Sequence, residues 1–200
     1  MAVKRVVDVL GAGVGLVLLS PLLLVLAAAV IIDTGRPVLF RQVRLGRGLQ
    51  EFRVLKFRTM KLDSAPDMHM EYIAKLATGQ GDEEGLKKLT ADPRVTAVGR
   101  FLRKTSLDEL PQLVNVFLGN MSLVGPRPAL DYELQYYADA HYERFAVKPG
   151  MTGLWQVSGR NQLGFTEMLD LDAEYARSST FVTDVKILVK TPGAALSGAA

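Results

Sequence analysis

Arg103-Lys104-Thr105-Ser106-Leu107-Asp108-Glu109-Leu110-Pro111-Gln112-Leu113 places two adjacent carboxylates directly after the cations Arg100, Arg103 and Lys104. Leu107, Leu110, Leu113, Val114 and Phe117 recur at helical spacing, which predicts a helix with Asp108 and Glu109 in its first turn. Two readings of the pair are open locally. Ser106 three residues before Glu109 has the form of a capping box, and acidic residues suit the positive end of a helix. Equally, two carboxylates among cations form a reactive pair in a site that attracts phosphate.

Upstream of this stretch, residues 36–61 hold eight basic residues against the single acid Glu51. The segment carries +7 in a chain of net charge +3, so the remainder is acidic by −4. A basic patch of this kind seeks lipid head groups, nucleotides or nucleic acid. Residues 38–43 and 52–57 read as two extended segments around the turn Leu45-Gly46-Arg47-Gly48. Lys56 and Arg58 flank the apolar Phe57 at a strand end and are candidate anion binders. Residues 61–90 read as a surface helix and a flexible loop, broken over residues 79–85, with His69 incidental.

Downstream, Gly119-Asn120 ends the central helix. In Gly125-Pro126-Arg127-Pro128, two prolines fix an extended backbone around one arginine, which suits an anion site if the loop folds back over the carboxylates. Residues 129–147 read as a helix with Leu130, Leu134 and Tyr137 on one face. Residues 148–161 read as a glycine-punctuated loop carrying Trp155, a core plug or an interfacial anchor. Residues 165–177 and 181–189 read as amphipathic helices, the second with Lys186 and Lys190 opposite Val182, Val185 and Val189, as on a membrane surface.

At the other end, residues 9–32 contain no charge. A continuous helix of that length would measure ~36 Å, enough for a ~30 Å hydrocarbon core. Ser20-Pro21 divides the run into two arms of eleven residues. Proline removes a backbone donor, so a kink is expected there, and the Ser20 hydroxyl can satisfy freed backbone groups. Basic residues flank both sides: Lys4 and Arg5 before, Arg36, Arg41 and Arg44 after. The positive-inside rule then favours a helix-break-helix hairpin that returns to the cytoplasmic side. A kinked span and a signal peptide are the competing readings; the long apolar run and its basic sequel disfavour the signal.

The chain has 200 residues, 48% of them hydrophobic, which suits one domain with a sizeable core plus a membrane segment. No cysteine is present, which excludes disulfides and thiolate metal sites. No P-loop, Rossmann, zinc or nucleic-acid motif occurs. The expected fold is α+β and mostly helical, a re-entrant segment over residues 1–35 ahead of a catalytic domain over residues 36–200 with a short β-hairpin.

The order of motifs resembles that of the bacterial sugar transferases, the monotopic polyprenyl-phosphate phosphoglycosyl transferases. The resemblance rests on Ser20-Pro21, Arg41-Gln42, residues 56–60, Asp92-Pro93-Arg94-Val95, residues 103–113, residues 125–128 and residues 148–161. It covers essentially the whole chain. Leu49 departs from it, standing at the hairpin tip where glycine is usual. The resemblance implies transfer of a sugar 1-phosphate from a UDP-sugar to undecaprenyl phosphate at the cytoplasmic face of the bacterial inner membrane. It implies Asp108 as nucleophile, Glu109 as a Mg2+ ligand, and Lys56, Arg103 and Arg127 as conserved cations. It further implies a re-entrant helix broken at Ser20 and Pro21. UDP-sugar, undecaprenyl phosphate and membrane lipids are the expected partners, with no nucleic acid; a homodimer is compatible with it. The chain resembles the small catalytic form of the family or the corresponding part of a larger one. A lipid-binding scaffold and a nucleotide-sugar hydrolase are the rival functions.

Overall fold

Pro21 shapes the first arm of the fold. It has no N–H for the Val17 carbonyl, and the Ser20 hydroxyl donates to that oxygen instead, at 2.7 Å. The chain therefore forms two helices, α1 (Ala2–Leu18) and α2 (Ser20–Thr34), bent by 63° at Leu19. No single helix among the described residues is long and apolar enough to cross a membrane. The computed structural model describes residues 2–61, 67–77, 92–159 and 162–197. Residues 78–85 and Arg160-Asn161, read above as loop, lie outside them.

Strands β1 (Leu39–Leu45) and β2 (Glu51–Phe57) form the expected antiparallel hairpin, with Leu39 opposite Phe57 and Leu45 opposite Glu51. Leu49 at its tip has φ 61°, the left-handed region that favours glycine, so the departure noted above carries local strain. Helix α3 (Asp67–Ala77) follows, then α4 (Ala97–Lys104), capped by Thr96, whose side chain accepts from Gly99 N at 3.0 Å.

The central stretch corrects the sequence reading. Ser106 is left-handed, with φ 56° and ψ 16°, and its side chain makes no cap hydrogen bond. Leu107–Glu109 forms a 3-10 turn, and the α-helix starts only at Gln112, as α5 (Gln112–Leu118). Pro111 is the cause: without an N–H it cannot bond the Leu107 carbonyl, which accepts from Leu110 N instead. The capping box is not formed, so Asp108 and Glu109 are not held as helix-capping groups. Gly119, with φ 93°, ends α5 as expected.

Residues 129–147 also depart from expectation. They form two 3-10 segments, Asp131–Tyr136 and Asp139–Ala146, separated by extended Tyr137 and Ala138. The side chains of Glu133 and His141 accept from the backbone N–H groups of Leu130 and Ala138, each three residues back, which fixes the tight turns. Leu134 and Tyr137 pack with Leu45, Ala129 and Phe145. Two three-residue strands, β3 (Ser122–Val124) and β4 (Gly150–Thr152), pair in parallel across this crossover. Residues 148–161 are thus not simply a loop: β4 is followed by α6 (Leu154–Ser158). Helices α7 (Phe165–Ser178) and α8 (Phe181–Ser197) complete the chain, α8 running through Pro192 beyond the expected end.

The hairpin arms join the core rather than standing apart. Ala12 of α1 packs with Val54, Leu113, Val116 and Met121. Leu26 and Val30 of α2 pack with Phe57 and Leu102. The start of α1 is tied by polar contacts: Lys4 to Asp184 at 2.6 Å, Arg5 to the Val116 and Phe117 carbonyls, Asp8 to Ser122 and the Leu123 N–H. Both arms expose large apolar side chains, among them Val14, Val17, Leu18, Leu24 and Ile32.

Candidate functional site

Strand β2 and α5 are braced by Asn115, whose Oδ1 accepts from Leu55 N at 2.9 Å and whose Nδ2 donates to Arg53 O at 2.8 Å. This fixes Lys56 of β2 against the 3-10 turn, and its Nζ meets Glu109 Oε1 at 2.7 Å. Asp108 is 9% exposed, beside this pair. Burial pushes its carboxyl up to about 6; the Lys56 charge opposes that shift, Glu109 adds to it, and the Arg103 charge opposes it.

A cleft of about 210 Å³ opens here, its wall formed in part by Arg44, Lys56, Glu109, Gln112 and Arg127. The proline-flanked loop thus does fold back to Glu109, and Arg127 shares its cleft, while Asp108 lies buried behind the wall. Trp155 also lines the cleft and is only 6% exposed, so it is a buried cleft residue.

Arg103 is not on the wall. Its Nε donates to Thr59 Oγ1 at 2.9 Å, and its charge acts on Asp108. Arg58 is a correction. Its guanidinium donates to the carbonyls of Thr34, Gly35 and Arg36 and to Thr34 Oγ1, at the far end of α2, not to the cleft. Four acceptors around one helix end engage it as a clamp on the hairpin, away from the cleft. Ser20 and Pro21 stand at the helix break, as expected.

Arg44 is the cleft residue that the sequence reading missed. It was one cation in a basic run, yet it is 6% exposed, and its Nη1 donates to Pro128 O at 2.9 Å. Burial and the neighbouring Arg127 charge lower its pKa to about 10. Its partner across the fold, Pro128, distinguishes it from the exposed Arg41 of the same strand.

Residues 1–198 match the family described as bacterial sugar transferase. The chain belongs to that family. This bacterial sugar transferase is 42% identical over 195 residues to the exopolysaccharide production protein ExoY of Rhizobium meliloti, covering 97% of this chain and 86% of the relative. It is 44% identical over 188 residues to the undecaprenyl-phosphate galactose phosphotransferase of Salmonella typhimurium, covering 94% of this chain but 39% of that protein. It is 40% identical over 199 residues to the UDP-glucose:undecaprenyl-phosphate glucose-1-phosphate transferase of Caulobacter vibrioides, covering 94% of this chain and 67% of the relative.

Among the described residues of this sugar transferase, no group of three or more His, Cys, Asp or Glu side chains could hold a metal ion. The donor set nevertheless fits magnesium, which commonly takes one or two carboxylates and completes its shell with substrate phosphate and water. Glu109, with 38% of its side chain exposed on the cleft wall, offers the carboxylate.

Proposed function

We propose that the chain transfers a sugar 1-phosphate from a UDP-sugar to undecaprenyl phosphate, releasing UMP, at the cytoplasmic face of the bacterial inner membrane. The observation that carries this reading is Glu109, with the buried Asp108 next to it in the chain, sharing one cleft with Lys56, Arg44 and Arg127. The names of the relatives support the substrates. The reaction is the membrane step that opens assembly of a surface glycan.

An Asp108 carboxylate oxygen attacks the phosphorus that bears the sugar. The bond from that phosphorus to the bridging oxygen breaks, and UMP leaves with that oxygen. An oxygen of undecaprenyl phosphate then attacks the same phosphorus, the acyl phosphate bond breaks, and Asp108 is regenerated as a carboxylate. Nucleophile and donor are both anionic, so cations must neutralise the site. Arg127 and Arg44 face the diphosphate, Lys56 orients Glu109, and Arg103 keeps Asp108 ionisable. Glu109 would hold Mg2+, which when bound supplies further charge neutralisation on the donor phosphates.

Release of UMP from a panel of UDP-sugars, with and without undecaprenyl phosphate, tests the reading. Lipid-dependent formation of a polyprenyl diphosphate sugar is the expected result. UMP release with water as the sole acceptor would indicate a hydrolase, and no turnover with any UDP-sugar would leave a lipid-binding scaffold.

The raised pKa of Asp108 gives a pH prediction. The attacking form is ionised, so kcat/KM should be level above about pH 7 and fall tenfold per unit below about pH 6. Lys56→Met removes the largest influence opposing that rise, so its acid limb should move to higher pH. A limb that stays put in Lys56→Met would show that a different group titrates.

Topology is the other open element. Lys4, Arg5 and Asp8 at the start of the hairpin, and Thr34 to Arg36 at its end, are bonded to the same body. This supports a hairpin that enters and leaves one membrane leaflet. Cysteines introduced at Ala2 and Thr34 should be equally protected from an impermeant thiol reagent in intact cells. Labelling of Ala2→Cys alone from outside would establish a span instead.

A further inference from the structure

Pro126 and Pro128 leave the cleft loop short of backbone donors, so it is held through its acceptors. Four successive carbonyls each receive one bond. Gly150 N donates to Pro126 O at 2.8 Å, Arg144 Nη2 to Arg127 O at 2.6 Å, Arg44 Nη1 to Pro128 O at 2.9 Å, and Leu45 N to Ala129 O at 2.8 Å. The bond at the centre of this row comes from a buried charge. Arg144 is 4% exposed, and its Nη2 also donates to Asp172 Oδ2 at 2.6 Å. Its Nη1 donates to the Tyr137 hydroxyl, and its guanidinium lies 5.4 Å and 5.7 Å from the ring centroids of Tyr137 and Phe145. Asp172, on α7, is 1% exposed.

Neither Arg144 nor Asp172 is on the cleft wall. A buried ion pair is weak evidence of a stability role, since apolar residues of equal volume often do as well. Here Arg144 Nε is buried without a hydrogen-bond partner, which makes the pair costlier still. What the pair does supply is a fixed contact to the backbone of Arg127. With φ locked at the proline on either side, a shift of the Arg127 carbonyl cannot be absorbed by the prolines' own φ and passes to the side chain.

We propose that the buried Arg144–Asp172 pair is a positioning unit for Arg127, setting where its guanidinium stands against the donor diphosphate. This rests on the cleft role of Arg127 proposed above. Arg144→Lys keeps the charge but loses the planar fork that serves Asp172 and the loop together. In the full chain, in native membrane vesicles, it should lower kcat/KM by ~30-fold, mostly in kcat, because small misplacements of a catalytic group are costly. In the Arg127→Ala background the same substitution should change kcat/KM by less than ~2-fold, because there is no guanidinium left to misplace. Tyr137→Phe removes one bond to Arg144 and keeps the packing. It reads the same cycle with a milder loss of ~5-fold, should Arg144→Lys fail to fold. Equal losses in both backgrounds, with Arg127→Ala itself impaired, would overturn the link and leave a merely structural pair. Near-normal turnover of Arg127→Ala would instead overturn the cleft role of Arg127, and the link with it.

Discussion

Asp108→Asn is expected to abolish turnover, by ~10⁴-fold or more, the scale seen when a nucleophile is removed from a covalent mechanism. The same variant should carry no label after incubation with a UDP-sugar labelled in its sugar. The unsubstituted protein, quenched in acid without lipid acceptor, should carry it. Initial-rate patterns should be parallel, as for a ping-pong reaction, and the sugar's anomeric configuration should be retained because its C–O bond is untouched. Loss of activity in this variant is not expected to reflect loss of fold. The folded pKa of Asp108, about 6, lies above the unfolded value, so ionising it destabilises the fold once pH rises through that range. Replacing it with a neutral isostere should therefore raise thermal stability at neutral pH, by roughly 1–3 kcal/mol. An inactive variant with a raised Tm and no adduct fits the nucleophile. Intersecting rate lines and no quenched adduct from the unsubstituted protein would reassign the pair to acceptor activation.

Arg127→Ala and Arg103→Ala should each lower kcat/KM by ~100-fold, but for different reasons. Arg127 faces the cleft, so its loss removes a charge partner of the donor and should leave the acid limb of the pH profile in place. Arg103 acts on Asp108, so its loss should also move that limb to higher pH. Lysine at 127 should restore only part of the activity, since a point charge does not replace a planar fork. Identical pH profiles for the two alanine variants would undo this division of roles.

Much of this arrangement is legible along the chain because it rests on local chemistry. Ser20-Pro21 announces its own break, since a missing N–H acts on the adjacent turn. Gly46 and Gly48 mark the hairpin turn, and Gly119 ends α5. Misreadings arise where one proline interrupts a periodic run or where partners are remote. The helical spacing from Leu107 to Phe117 is real, but Pro111 stops the ladder and leaves the carboxylates on a separate turn. Strands β3 and β4 are three residues each, too short for a periodic signal, and pair across the whole 3-10 crossover. Arg44 and Arg58 lie in one basic run with similar neighbours, yet one borders the cleft and the other clamps the end of α2. Pairings so far apart in sequence leave no trace in local spacing. The carboxylate pair stands out along the chain, whereas the cations gathered near it are separable from the rest only by what they touch.

The ties at the two ends of the α1–α2 hairpin have a kinetic consequence for the proposed reaction. Lys4, Arg5 and Asp8 hold one end and Arg58 the other, so the hairpin and the carboxylate turn move as one body. Seated in one leaflet as proposed above, the enzyme would keep Asp108 at a constant height above the plane of lipid phosphates. The second substrate then reaches it by lateral diffusion in two dimensions, without a separate docking step from bulk solvent. The apparent KM for the acceptor should scale with its mole fraction in the bilayer, and diluting vesicles in buffer at fixed lipid composition should leave the rate of the second half-reaction unchanged.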